Sequence, residues 1–234
     1  MMLAPLLLDS RPDRAALIAA LAARRLDRTL TTALPAPDPT DDQAVGATSV
    51  AALDRLVGGV PRGQISEIVG ARSTGRTSLL LQMLAAATAR GELVALVDAL
   101  DRFDPASAAA AGVAVDRLLW IRGHVVSHPG ACRDANQRAL EQAIKALSLV
   151  LQAGNFGLVA FDAGEVPASA LRRLPFTTWR RLQRMVEGRS TMGVLLAEAS
   201  IGRSAGGLTL TLTPGHVDPV PRPEGRRFKG LLFD

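Results

Sequence analysis

Residues 65–77 read ISEIVGARSTGRT, and this stretch decides the fold. Ile65–Val69 is short and rich in β-branched residues, which predicts a strand. The eight residues that follow have the spacing G-x-x-x-x-G-K-[ST], with Gly70 and Gly75 bounding the loop and Thr77 closing it. A helical pattern over Thr77–Arg90 comes next. A strand, a glycine-bounded loop and a helix in this order predict a phosphate-binding loop.

Arg76 stands where this pattern carries lysine. Lysine acts there as a compact point charge between the terminal phosphates, and a longer, planar guanidinium does not fill the same space. We therefore expect Gly70, Gly75, Arg76 and Thr77 to form a nucleotide-binding loop that is vestigial or weak. The pattern indicates the fold more strongly than it indicates catalysis.

A second apolar strand ends in a carboxylate. Residues 157–162 read GLVAFD, which predicts a buried strand over Leu158–Phe161 followed by Asp162. Beside the loop, Asp162 would hold Mg²⁺ through water. The alternative is a carboxylate that only caps the next turn.

Composition limits the classes of protein. The chain has 234 residues, of which 48% are hydrophobic and 21% charged, so it can bury the core of one α/β domain and is neither disordered nor a disulfide-stapled miniprotein. A single cysteine excludes an intrachain disulfide and favours the cytoplasm, and no apolar run is long enough to span a membrane. The net charge of +5 favours an anionic partner, but the absence of tyrosine argues against an aromatic platform for single strands.

Four segments follow from the pattern along the chain. They are an N-terminal helical segment (1–30), a proline-rich linker (31–46), a core (47–213) and a C-terminal tail (214–234). The helix over 10–30 gathers Leu17, Ile18 and Leu21 on one face, which either folds back on the chain's own core or docks on another protomer or partner. The tail, with spaced prolines before a short apolar run, either binds a partner groove or packs on its own core.

Within the core, strands alternate with helices, which predicts an α/β fold with a mostly parallel sheet covered on both faces. Besides the elements above, the predicted strands are Leu93–Val97, Leu118–Ile121, Gly193–Ala197 and Leu208–Thr213. The predicted helices are Pro105–Ala111, Ala131–Ala153 and Thr178–Glu187.

Several ordered motifs resemble the core of the RecA/RadA recombinases over roughly residues 46–213. The entry segments LDRL (53–56), GGVPRG (58–63) and ISEIVG (65–70) are similar to that family, and VDALDRFDP (97–105) resembles its I-D-A-E-x-x-x-D-P segment. Gly112-Val113 and Leu118-Leu119 fall where the family has its LGV…NLL stretch. The resemblance implies a RecA-like P-loop core, preceded by a separate N-terminal helix of the kind that recombinases lay on a neighbouring protomer.

The departures from that family are as informative as the matches. Leu100 occupies the position of the catalytic glutamate, and the adjacent Asp101 is out of register. A carboxylate is needed there to polarise the attacking water, and leucine cannot do this. Glu198 matches the nucleotide-sensing glutamine, and the two DNA-binding loops are short, at Val166–Arg173 and Ile201–Gly206. We therefore expect a fold that has lost its ATPase, with no catalytic residue, no metal site and no required cofactor.

The size of the chain and its loss of catalytic positions make it resemble the ImuA family, which consists of accessory factors of bacterial SOS mutagenesis. That resemblance implies translesion synthesis as the process, and RecA and an ImuB-type polymerase relative as partners. The alternatives are an active RecA-like ATPase that tolerates Arg76, and a SulA-like inhibitor of cell division. Leu100 argues against the first alternative, and nothing beyond size favours the second.

Five arginines crowd one region without an acidic residue among them: Arg172, Arg173, Arg180, Arg181 and Arg184. Arg180 and Arg184 share one helix face at the i, i+4 spacing. This cluster predicts contact with DNA phosphate, and then only weak, non-specific binding, or with an acidic protein patch. The alternative is a solvated helix face.

Overall fold

The computed structural model describes residues 45–124, 133–202 and 207–214, and the core prediction is tested on these ranges. The strands are β1 (Val45–Gly46), β2 (Val60–Pro61), β3 (Ile65–Gly70), β4 (Val94–Asp98), β5 (Leu118–Arg122), β6 (Leu158–Asp162), β7 (Met192–Ala197) and β8 (Thr209–Leu212). The helices are α1 (Ala51–Val57), α2 (Arg76–Ala89), α3 (Pro105–Ala110), α4 (Arg133–Ala153), α5 (Ala168–Arg173) and α6 (Phe176–Val186), with a 3-10 turn at Val115–Arg117.

Six strands form one sheet in the order β5-β4-β6-β7-β3-β8, and every neighbouring pair is parallel. The strand before the glycine-bounded loop, β3, lies between β7 and β8. Parallel neighbours require crossover connections, which the helices supply. The predicted α/β fold with a mostly parallel sheet is confirmed.

The sheet separates two hydrophobic layers. On β4, Val94 and Leu96 face the layer built with α1, α2 and α3, while Ala95 and Val97 face the layer built with α4, α5 and α6. Side chains alternate between the two faces because a strand has a period of two. Both faces of the inner strands are therefore apolar, which explains their continuous hydrophobic sequence.

Three differences from the predicted elements have physical reasons. The last two linker residues, Val45–Gly46, form β1, because they pair antiparallel with Val60–Pro61. The segment Val166–Arg173, expected to be a short DNA-binding loop, contains α5 over Ala168–Arg173, since its alanines favour a helix and Leu171 anchors it in the core. Helix α6 begins at Phe176 rather than Thr178 because Pro175 lies at the N-cap, where its missing N–H costs nothing.

The remaining predicted elements are found with ends shifted by one or two residues. Leu208–Thr213 shortens to β8, in which half-buried Leu210 and Leu212 alternate with exposed threonines as expected. The predicted helix over 10–30, with Leu17, Ile18 and Leu21, and the predicted tail beyond residue 214 lie outside the described residues.

Candidate functional site

The loop between β3 and α2 has the conformation that its glycines predict. A Cβ at Gly70 would lie 2.6 Å from Thr74 Oγ1, so no larger residue fits there. Gly75 is the N-cap of α2 with a φ of 92°, in the left-handed region that favours glycine. Thr74 Oγ1 donates a hydrogen bond to Ala71 O at 2.8 Å, which closes the loop on itself. Gly70 and Gly75 therefore shape a turn of phosphate-loop form.

Arg76 is turned inward from the first position of α2. It is 8% exposed, and its Nη1 donates to Gly164 O at 3.3 Å, just beyond the end of β6. A charge so far removed from water requires a partner of opposite sign. Arg76 acts on the Asp162 carboxyl, because its attraction opposes the rise in the Asp162 pKa that burial and Asp98 cause. Thr77, the next residue, is exposed.

Asp162 has a second carboxylate beside it. Asp98 and Asp162 end the neighbouring strands β4 and β6 and are paired in the same register. Burial and the nearby Asp98 carboxylate together raise the pKa of Asp162 to about 6, and the attraction of Arg76 opposes them. Asp98 is 2% exposed, and its Oδ2 accepts a hydrogen bond from the Phe103 backbone at 2.7 Å. Buried Asp98, buried Arg76 and half-buried Asp162 thus lie at the carboxyl end of the sheet.

The sequence did not single out Asp98 as a site residue. Its signal was present, because it is the last residue of an apolar strand and the carboxyl ends of parallel strands collect ligands. Asp98 entered the sequence analysis only as part of the segment VDALDRFDP (97–105), which resembles the recombinases.

Leu100, at the position compared with the catalytic glutamate, and the adjacent Asp101 have different surroundings. Leu100 packs against the layer of α4, and its Cδ1 lies 3.6 Å from where a Cβ at Gly164 would be. Asp101, with a φ of 54°, forms a bidentate pair with Arg122, both N···O distances being 2.7 Å. Arg122 also lies over the Trp120 ring at 4.9 Å. Asp101 is therefore ion-paired with Arg122, the last residue of β5.

Glu165 links the loop to the segment after β6. Its carboxylate lies 2.7 Å from Arg102 Nη1 and 3.3 Å from Arg72 Nε. The Arg72 side chain is largely exposed, so its pair with Glu165 adds little stability. This contact could not be predicted from sequence, because Glu165 is distant in the chain from Arg72 and Arg102.

Glu67, on β3, fixes the segment that follows β7. It is 3% exposed, and its carboxylate accepts hydrogen bonds from the Ile201 backbone at 2.7 Å, the Gly202 backbone at 2.6 Å and Ser200 Oγ at 2.5 Å. The neighbouring Ser66 Oγ accepts from the Leu208 backbone at 3.0 Å. The strand that carries the phosphate loop therefore also holds both sides of the β7–β8 connection.

Replacing Glu67 by alanine is expected to lower the free energy of unfolding by about 2–4 kcal/mol, because two backbone donors lose their charged acceptor in a buried place. Urea unfolding of the full chain measures the change. Glu198→Ala is the matched control, since Glu198 is exposed at the end of β7, and it should change stability by less than about 0.5 kcal/mol. A Glu67→Ala protein as stable as the parent would contradict the assignment.

The arginine cluster lies on two consecutive helices. Arg172 and Arg173 are on α5, Arg180, Arg181 and Arg184 are on α6, and all five are exposed. Among the described residues none of the five has an ion-pair partner. Glu198 is also exposed, and it follows β7 at the end of the sheet where β3 leads into the phosphate loop. The structure thus places the cluster on the exposed sides of α5 and α6.

No helix within residues 45–124, 133–202 and 207–214 combines the length and the apolar character that crossing a bilayer requires.

A parallel sheet with a glycine-bounded loop after an inner strand, a helix at its end and an aspartate at the end of a neighbouring strand defines a P-loop α/β protein. The family described as the RecA N-terminal domain matches residues 36–168. That match covers more than half of the chain, and the chain belongs to the RecA family.

Curated relatives agree with this membership. The chain is 38% identical over 107 residues to Protein RecA of Fusobacterium nucleatum, covering 46% of this chain and 25% of that protein. It is 36% identical over 140 residues to Protein RecA of Chlorobaculum tepidum, covering 56% of this chain and 36% of that protein. Protein RecA of Clavibacter michiganensis is 38% identical over 122 residues, with 51% and 30% covered. The chain thus spans about a third or less of the length of these relatives.

Proposed function

We propose that this protein is a non-catalytic RecA-like accessory factor of DNA-damage-induced mutagenesis, of the ImuA type. The observation that carries the proposal is the state of Arg76, which is buried and bonded to Gly164 O beside Asp162. In this arrangement the Arg76 guanidinium offsets the negative charge of the protein's own carboxylates. It takes the role of an internal counterion at the position where a P-loop enzyme needs a phosphate ligand.

The residues present do not fit a hydrolytic ATP·Mg²⁺ site. Arg76, at the position of the phosphate-binding lysine, is buried and donates to Gly164 O. Leu100 offers no group that can orient or deprotonate water. Gly70, Gly75 and Thr77 keep the features that the loop pattern requires, and Thr77 is exposed. These features support a RecA fold that works without ATP hydrolysis, and we derive no catalytic step.

In this proposal the protein acts in the cytoplasm with RecA and with an ImuB-type polymerase relative in translesion synthesis. It docks on RecA through the face formed by Leu17, Ile18 and Leu21. Added to a RecA filament in this way, it caps further growth and restrains strand exchange. Direct DNA binding is weak, non-specific and steeply dependent on salt, because only arginine–phosphate contacts are available for it.

Adding the full chain to RecA on single-stranded DNA is expected to slow strand exchange. The variant Leu17→Asp/Ile18→Asp/Leu21→Asp should weaken RecA binding at least tenfold, because burial of an apolar face contributes roughly 25 cal/mol per Å² and this face would be lost. Binding is measured by surface plasmon resonance with immobilised RecA. Replacing exposed Leu149 of α4 by aspartate is the matched control. Equal RecA affinity of the triple variant and the parent would refute docking through this face, and unimpeded strand exchange would refute restraint of RecA.

A further inference from the structure

A groove of about 300 Å³ lies between α5, α6 and the segment after β7. Its apolar lining is formed by Val166, Leu171, Leu174, Phe176, Trp179 and Ile201. Phe176 is 50% exposed, an unusual state for a large aromatic side chain. The groove lies outside the set formed by Arg76, Asp98 and Asp162, so the proposed loss of ATP hydrolysis does not explain it.

The charges around this groove are predominantly positive. Arg172 lines it directly. One face of α6 carries an aromatic ring and two guanidinium groups. They belong to Phe176, Arg180 and Arg184, which are spaced at i, i+4 and i+8. Glu198 is the acidic side chain in the lining, at the β7 end. Acidic groups of a ligand are therefore favoured over α5 and α6 and disfavoured near Glu198.

The walls suit protein side chains better than nucleic-acid bases. Bases bind single-strand sites by stacking on exposed aromatic rings. Here Trp179 is only 5% exposed, which leaves Phe176 as the accessible ring, and the other apolar walls are aliphatic. Aliphatic pockets with an arginine rim are complementary to a peptide that carries both apolar and acidic residues.

The chain's own C-terminal residues carry a small excess of positive charge. Residues 215–234 have four basic and three acidic side chains, and Arg226, Arg227 and Lys229 lie next to the apolar residue at 228. Bringing them beside Arg172 and Arg180 would place like charges together, which is unfavourable. The occupant is therefore sought in another protein.

We propose that this groove is a docking site for a partner protein, which inserts an apolar side chain between α5, α6 and Ile201 while its acidic residues pair with the arginines of α5 and α6. The groove is lined by none of Arg76, Asp98 and Asp162, and the proposal holds whether or not ATP is hydrolysed.

The test uses the full chain and a fluorescein-labelled peptide of glutamate, leucine and one phenylalanine, followed by fluorescence anisotropy. Saturable binding is expected, and Arg172→Glu and Phe176→Ser should each weaken it at least tenfold. The matched controls are Arg138→Glu and Leu149→Ser, which make the same changes at exposed positions of α4 and should leave affinity within twofold. Circular dichroism verifies that each variant is folded.

The competing occupants give different results. A peptide with serine in place of leucine and phenylalanine should bind at least tenfold more weakly, and equal binding would overturn the proposal by reducing it to charge attraction. An oligothymidine that binds more tightly than the peptide, and that loses affinity in the same two variants, would reassign the groove to nucleic acid. Displacement of the labelled peptide by a synthetic 215–234 peptide at equal concentration would reassign it to the chain's own tail. Absence of saturable peptide binding would also overturn the proposal.

Discussion

Asp162→Asn is expected to stabilise the folded protein at pH 8 by about 3 kcal/mol. The pKa of Asp162 is raised from 3.8 to about 6 by burial and by Asp98, and each pKa unit corresponds to roughly 1.4 kcal/mol. The folded state therefore holds the Asp162 proton to higher pH than the unfolded state does. The wild-type protein should lose this stability between about pH 4 and pH 6 and stay at the lower level above pH 6. Asparagine carries no charge, so the variant avoids the loss.

The measurement is urea unfolding of both proteins between pH 4 and pH 8, with the difference in unfolding free energy plotted against pH. The difference should grow from pH 4 to pH 6 and then level off. Asp116→Asn, at an exposed aspartate, is the matched control and should show no such growth. A variant that is equally stable or less stable than wild type at pH 8 would contradict the buried, desolvated state of Asp162.

Arg76→Leu is expected to destabilise the protein at pH 8 by about 3 kcal/mol, because it leaves the buried carboxylates of Asp98 and Asp162 without their cation. The loss should be smaller at pH 5, where Asp162 is mostly protonated. Combining Arg76→Leu with Asp162→Asn should cost less than the sum of the single changes, by about 1–3 kcal/mol of coupling.

The control for this prediction lies in the same loop. Arg72 is exposed and pairs loosely with Glu165, so Arg72→Leu should change the unfolding free energy by less than about 1 kcal/mol. Additive effects of Arg76→Leu and Asp162→Asn, or an unchanged stability of Arg76→Leu, would show that Arg76 is not the counterion of this pair.

The parts of the fold that could be predicted are those with strong local signals. The glycine spacing from Gly70 to Gly75 requires a turn that few other residues can form, so the strand, loop and helix around it followed from sequence alone. Helix α5 was missed because six residues between two prolines are too few to show a helical period. Its formation depends on the burial of Leu171 within the tertiary core.

The site was predictable only in part, because its chemistry depends on contacts distant in sequence. The misfit of Arg76 with the loop pattern was visible, but its bond to Gly164 O, 88 residues away, was not. Asp98 and Asp162 become neighbours only through the order β4-β6 in the sheet. The role of Glu67 could not be predicted from sequence, because only the fold places the Ile201 and Gly202 backbone beside its carboxylate.

Phosphate release from ATP·Mg²⁺ by the purified full chain, with and without single-stranded DNA, tests most directly the proposal that this RecA-family protein works without ATP hydrolysis. Asp162→Ala is measured beside it, to distinguish intrinsic turnover from a contaminant. We expect release at the background rate in all samples, because Arg76 is buried and bonded to Gly164 O and Leu100 provides no carboxylate. Turnover above background that disappears in the Asp162→Ala protein would contradict it and would establish an active RecA-like ATPase.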